Sequence, residues 1–418
     1  MLDAEVPTTL ARPAGLGRLL TFMFPAATAM YAAFNGVQQI LLPAQVEAFD
    51  PAAKVGNLAL ITALAAIASM VALPIGGAVS DRTRSPFGRR SPWIAVTAVL
   101  SAVLLIAIGS AADLVVLTIT VVALWFTANF YQGAFAAILP DRVPVARRGL
   151  ASSVIGLGTP VGILLGVNVA SRVSQFWGYA ILALVFVIAS AALVFGAREA
   201  SSEGVIAPVR TTRRHSELVR AFFAAFRSTD FSLAFLSRAS LSLAYFTVSG
   251  YLFYSMQDYI GAGNIPGGDV AVAVATLSTI SVATWSVVAM FTGWLADRLD
   301  RRKLFVGISA AGLAASMLVP ILSPTWTGMI VYAFLSGAFI GTYFAVDLAV
   351  MSLVLPDKQN EGRDFGLLAV ATGLPQVLSS VLAGALLTLF GSYIALFCFG
   401  AACALVAGLV IMRIRSIR

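Results

Sequence analysis

The sequence predicts an all-α polytopic membrane protein, with twelve transmembrane helices in two pseudo-symmetric six-helix halves. Three observations carry that prediction. Hydrophobic residues make up 59% of the 418-residue chain and charged residues only 11%, against roughly 25% charged in soluble domains. Mean hydropathy is +0.92, more apolar surface than a water-soluble core can hide. The apolar residues gather into runs long enough to cross a hydrocarbon layer, and landmarks of the first half of the chain recur 216 residues later.

A hydrocarbon core of about 30 Å needs about 20 apolar residues per helix. On that ruler the spans are 17–45, 56–80, 92–112, 114–138, 150–171, 177–197, 231–257, 270–295, 304–322, 326–351, 366–389 and 393–412. Lipid offers the backbone no hydrogen-bonding partner, so these runs must be helices. The alternating pattern of barrel strands is absent. The polar stretch 198–230 separates an N-terminal half, 1–197, from a C-terminal half, 231–418. Within that linker, Glu217 to Arg227 alternates Leu218, Phe222 and Phe226 with arginines at helical spacing. This fits an amphipathic helix at the membrane interface, or a plain connector.

Orientation follows from the basic residues. With both termini in the cytoplasm, only Lys54 and Arg172 of the 27 lysines and arginines fall outside, as the positive-inside rule requires. The first apolar run is too long for the core of a cleavable signal peptide.

The repeat is carried by particular residues. Between spans two and three lies Gly77-Ala-Val-Ser-Asp81-Arg82-Thr-Arg84-Ser-Pro-Phe-Gly88-Arg89-Arg90; between spans eight and nine lies Gly293-Trp-Leu-Ala-Asp297-Arg298-Leu-Asp300-Arg301-Arg302-Lys303. Charges that dense belong in short aqueous loops. Leu139-Pro140-Asp141 returns as Leu355-Pro356-Asp357, and Gly158-Thr159-Pro160 as Gly373-Leu374-Pro375. Matched features at a near-constant offset mark two homologous halves.

Other classes lose their footing. The net charge of +8 sits in loop clusters rather than in a nucleic-acid patch. Cys398 and Cys403 lie in one apolar run and His215 stands alone among loop arginines. No metal site, cofactor or catalytic constellation is expected from them. A channel has no use for two matched charged loops.

Twelve spans in two halves, with Gly-x-x-x-Asp-Arg and a closing Gly-Arg-Arg between spans two and three, resemble the major facilitator superfamily. The longer Asp81-Arg82-Thr-Arg84 to Gly88-Arg89-Arg90 spacing, with Leu139-Pro140-Asp141 and Asp347 before Leu355-Pro356-Asp357, is similar to the glycoside/pentoside/hexuronide and sucrose-symporter branches. The resemblance implies a secondary transporter that carries a sugar or sugar-like small molecule in symport with a proton or sodium, and functions as a monomer in the bilayer. A proton-coupled exporter of drugs or metabolites shares the fold. Its glycine-rich fifth span is approached, not matched, by Gly156, Gly158, Pro160, Gly162 and Gly166.

Alternating access needs gates, and the charged loops are candidates. Gly77, Asp81, Arg82, Arg89 and Arg90 in one half, and Asp297, Arg298 and Arg301 in the other, can form charge-assisted latches on the cytoplasmic side. The plainer alternative is that the arginines only set topology. The resemblance further implies that spans 1, 4, 7 and 10 line a central cavity. Polar residues sit on them at helical spacing: Tyr31, Asn35, Gln38 and Gln39; Trp125, Asn129 and Gln132; Tyr251 and Tyr254; Tyr343. Amides and phenols suit a neutral polyhydroxylated ligand, and helix-to-helix hydrogen bonds are the other use for them.

Two charges fall inside the hydrocarbon. Asp347 lies about 13 Å from the cytoplasmic end of span ten and Arg238 about 10 Å into span seven, at about 1.5 Å per residue. Similar depth in one half makes them a pair, either coupling ion movement to the conformational cycle or statically locking the half. Asp258, on the Tyr251–Tyr254 face near the cavity mouth, is a further ion-coupling candidate.

Overall fold

The computed structural model describes residues 15–203, 226, 228–299, 301–353 and 361–414. The amphipathic stretch of the linker, Val354–Asp357 and the arginines of the last four residues lie outside them. Twelve long helices run through the described residues. In the first half they are α1 (Leu16–Gly36, continuing through a π-helical turn at Val37–Leu41 into Leu42–Phe49), α2 (Lys54–Arg82), α3 (Ser91–Gly109), α4 (Leu114–Ala136), α5 (Gly158–Ala170, after a short Arg148–Gly156 helix) and α6 (Gln175–Gly196). In the second they are α7 (Thr229–Ser249), α8 (Val270–Leu299), α9 (Arg302–Leu322), α10 (Trp326–Leu353), α11 (Glu361–Phe390) and α12 (Tyr393–Met412). Among the described residues, eleven spans, all but α1, are long and apolar enough to cross a bilayer.

The packing repeats as the sequence does. Helix α2 packs on α4 as α8 packs on α10; α1 on α5 as α7 on α11; α3 on α6 as α9 on α12. Two seams join the halves, α2 with α11 and α5 with α8, and these too are counterparts. Small residues make the closest crossings, since lipid supplies no hydrophobic drive and packing must do the work. A Cβ at Gly133 of α4 would lie 2.2 Å from the Leu73 carbonyl oxygen of α2. In the second half, a Cβ at Gly337 of α10 would meet the Ser281 oxygen of α8 at 2.3 Å. The fifth-span glycines have the same use: a Cβ at Gly162 or Gly166 would strike the α1 carbonyls of Thr28 or Ala32, at 2.5 and 2.1 Å. They are a packing stripe.

Candidate functional site

Helices α1, α2, α7 and α11 enclose a cavity between the halves, with about 620 Å³ of empty space, part of it continuous with solvent. Asn35, Gln38 and Gln39 of α1 face it, with Thr62 of α2. Tyr245, Phe246 and Tyr251 come from the end of α7, and Gln376, Ser379 and Ser380 from α11. The π-helical turn after Gly36 leaves Gln38 and Gln39 side by side on the cavity. Helix α7 breaks at Gly250 and Tyr251 before resuming at Leu252, which brings the Tyr251 ring over the cavity roof. Pro375 interrupts the hydrogen-bond ladder of α11 one residue before Gln376. Among the described residues, every side chain on the cavity is uncharged.

Four of the ten residues expected from α1, α4, α7 and α10 therefore lie on this cavity: Asn35, Gln38, Gln39 and Tyr251. The structure places the others elsewhere. Trp125 faces a separate apolar pocket with Phe34 and Leu124, because α4 turns its aromatic side inward to its own half. Asn129 donates to Ser69 of α2 and to its own Trp125 carbonyl, at 2.9 and 2.8 Å. Gln132 and Tyr31 are half-buried away from the cavity wall. Tyr254 is fully buried and donates to the Pro43 carbonyl at 3.0 Å. Tyr343 is buried on α10 beside Asp347. Thr62, Gln376, Ser379 and Ser380 were missed because hydroxyls and an amide in apolar runs carry no sign of which face they occupy; the Gly373-x-Pro375 bend was the available signal.

Above the cavity, at the face opposite the arginine loops, a charged clasp ties the halves together. Lys54 at the start of α2 reaches Glu47 at 2.9 Å and Asp258, beyond α7, at 2.8 Å. Gln257 donates to Glu47. The Tyr393 hydroxyl of α12 donates to the second Asp258 oxygen at 2.7 Å. The Lys54 ammonium lies 4.9 Å over the Tyr254 ring, a cation–π contact. Asp258 is thus a tied carboxylate, not a free one. Just below, the Tyr251 hydroxyl lies 3.3 Å from the Val55 and Ser380 carbonyls. Ser278 of α8 donates to Gln39 at 2.7 Å, and Asn168 of α5 to Thr279 at 2.9 Å.

Within the second half, Arg238 and Asp347 form an ion pair at 2.7 Å, with side chains 15% and 3% exposed. The other Asp347 oxygen and the Tyr343 hydroxyl one turn earlier are buried with no hydrogen-bond partner among the described residues.

The Arg90 side chain, 3% exposed, is the centre of the N-terminal loop cluster. It pairs with Asp81 of α2 and at 2.9 Å with Asp141, which also holds Arg89 at 2.9 Å. It donates further to the Gly77 carbonyl at 3.1 Å and to Ser80. Glu199, just past α6, accepts the backbone N–H groups of Arg90 and Ser91 at 2.9 and 3.1 Å, where the α3 dipole favours an anion. Gly88 sits at φ 89°, with the Glu199 carboxylate filling the space of a side chain. Arg82 is exposed. In the second half, Arg298 lies 5.4 Å over the Trp294 ring and Arg301 is exposed; the Asp297 side chain lies outside the described part.

Comparison with known proteins agrees with this geometry. A General alpha-glucoside permease from Schizosaccharomyces pombe (strain 972 / ATCC 24843) is 26% identical over 214 residues, 45% of this chain. The chain spans only 38% of that relative's length. A peptide transporter, POT, solved with sulfate, superposes with a TM-score of 0.74 at 15% identity, covering 96% of this chain and 95% of that one. A bacterial homologue of the human lysosomal transporter Spinster, described as inward-facing and occupied, gives 0.64 at 13% identity, covering 95% and 94%. The family model of the Major Facilitator Superfamily matches residues 21–284 and 267–417, nearly the whole chain, and with twelve helices in two matched halves around a central cavity the chain belongs to that superfamily of transporters.

Proposed function

We propose that the chain is a secondary active symporter that moves a neutral sugar or sugar-like solute by alternating access, coupled to a cation, in the first instance a proton. The observation that carries this reading is the uncharged cavity between the halves, walled by amides, hydroxyls and aromatic rings. A sugar offers many paired donors and acceptors and apolar C–H faces, and asks for such walls; a charged solute would leave its charge uncompensated there. The alpha-glucoside permease relative supports the same solute class. The density of arginine puts the Asp81–Arg90 loop in the cytoplasm, so that the Lys54 clasp closes the external side.

In this reading the Arg238–Asp347 pair carries the coupling. The buried Asp347 holds its charge only while Arg238 neutralises it, so protonation releases the arginine and frees α7 to move against α10. Sugar uptake into proteoliposomes tests both parts. An inward proton gradient should drive accumulation of a neutral sugar, and Asp347→Asn should abolish accumulation while sparing sugar counterflow. Gradient-driven uptake that survives Asp347→Asn rejects the coupling role. Protein that expels cationic drugs and ignores sugars rejects the symporter.

A further inference from the structure

The cavity amides of α1 belong to a chain of hydrogen bonds whose direction is dictated from one end. Asn35 Nδ2 donates to the Tyr31 backbone carbonyl at 2.9 Å. A carbonyl can only accept, so the Asn35 amide is fixed with its nitrogen toward Tyr31 and its oxygen away from it. That oxygen accepts from Gln39 Nε2 at 2.9 Å, which turns the Gln39 oxygen outward. The Gln39 oxygen in turn accepts from the Ser278 hydroxyl of the other half at 2.7 Å. Each link sets the polarity of the next, and the last link crosses between the halves. Ser278 is 6% exposed and does not itself line the cavity.

We propose that Ser278 is a positioning residue for the solute: Tyr31 and Asn35 set which way the Gln39 amide points, and Ser278, by donating to its outward oxygen, holds that side chain against the second half and so decides which hydroxyls of a sugar the cavity accepts. This inference rests on the neutral-solute reading above. With Ser278 in place, the Gln39 amide already oriented by Asn35 is tied to the second half, and its oxygen keeps one lone pair for a solute. The same hydroxyl ties the solute site to closure. When the halves part at this face Ser278 withdraws, and a sugar hydroxyl takes over as donor to the Gln39 oxygen. When they close, Ser278 and the sugar share that oxygen through its two lone pairs. The side chains of Gln38 and Gln376, on the cavity from opposite halves, make no hydrogen bond among the described residues. They leave Gln39 as the cavity amide tied across the seam.

The neighbouring residue supplies an internal control. Thr279 accepts from Asn168 at 2.9 Å across the α5–α8 seam, and neither residue lines the cavity. Ser278→Ala and Thr279→Val each delete one bond between the halves, but only the first frees the Gln39 oxygen and leaves that side chain held by Asn35 alone. The measurement is binding of methyl α-glucoside, its deoxy forms and its epimers to the purified full-length protein, read by thermal shift and by competition. Beside it runs the modification rate of a cysteine at Thr62 by an impermeant reagent from the external side, in a background where Cys398 and Cys403 are serine. Ser278→Ala should compress the preference between best and worst sugar by about fivefold, the scale of one neutral hydrogen bond. Ser278→Thr should restore it. Thr279→Val should raise external labelling and leave the sugar ranking alone. Equal ranking in wild type and Ser278→Ala, with both variants changing only labelling, overturns the inference and spares the symporter. A wild type bound by no neutral sugar overturns both.

Discussion

Two charge networks mark the two faces of this transporter, and they differ in what they join. The Lys54 clasp joins the halves: one ammonium holds Glu47 of the first half and Asp258 of the second. Among the described residues the Arg90 cluster stays on one side: Gly77, Asp81 and Asp141 belong to the first half and Glu199 to the first residues of the linker, just past α6. They also differ in burial. The central cation lies deeper in the cluster, Arg90 at 3% exposed against Lys54 at 13%, while each network keeps one carboxylate open to water, Asp81 at 45% and Asp258 at 35%. A bond between bodies that must separate has to be weak enough to break at each cycle, and water access keeps it so. A bond inside one rigid body has no such limit. The clasp therefore has the properties of a gate, and the cluster those of a brace holding α2, α3, α4 and the end of α6 together.

The strongest way to break that contrast is to remove the brace. Arg90→Ala leaves Asp81 and Asp141 without their buried cation and removes donors from Gly77 and Ser80. Deleting one member of a buried charged network costs about 3–5 kcal/mol, so folded yield and thermal stability in detergent should fall sharply. Arg90→Lys keeps the charge and loses the fork that reaches two carboxylates, and should lie between. If Arg90→Ala is as stable as wild type yet changes only which face is open, the cluster is a gate after all.

The clasp should respond in the opposite way. Lys54→Gln leaves Glu47 and Asp258 facing each other unneutralised. The Lys54–Asp258 pair is open to water, where a pair contributes up to about 1 kcal/mol, and the Lys54–Glu47 pair is half-buried, so overall stability should fall by much less than for Arg90→Ala. The balance between open and closed external states should shift about tenfold, the factor that corresponds to 1.4 kcal/mol. Labelling of a cysteine at Thr62 from the external side reads that shift. A large loss of stability with no gain in labelling would make the clasp a structural pair.

Much of this contrast was legible in the chain before the structure, and the rest was hidden for a physical reason. The apolar runs, the 216-residue repeat and the loop arginines are local patterns that the fold reproduces. The depths of Arg238 and Asp347 follow from counting along two helices, and the two meet at 2.7 Å. Asp81 and Gly77 stood beside Arg90 in the same loop motif, but Asp141, 51 residues away, and Glu199, 109 away, were not legible as its partners, because only three-dimensional packing selects them. Lys54 read as an exception to the charge rule, yet it is the centre of the clasp. Trp125 misled because an aromatic on a helix expected at the cavity packs equally well against its own half. Helical spacing says which residues share a face, and not which neighbour that face meets.

The mildest perturbation separates the clasp's charge from its geometry. Tyr393 donates to the Asp258 oxygen that Lys54 does not hold, so Tyr393→Phe keeps both ion pairs and removes one neutral donor. A hydrogen bond to a charged group contributes about 1.5–3 kcal/mol when sheltered and less where water can replace it. With Asp258 35% exposed, water takes over part of the loss, and external labelling at Thr62 should rise about threefold, a smaller change than in Lys54→Gln. The site is also directional. Tyr393 begins α12, whereas Asp258 lies beyond the break in α7, so this bond holds the segment past α7 from within its own half. Tyr393→Phe should therefore weaken closure without affecting the Lys54–Glu47 pair, and combining it with Lys54→Gln should add little. A double variant that opens as much as the product of the two single effects would mean that Tyr393 and Lys54 act on Asp258 independently, and the clasp would be two separate contacts.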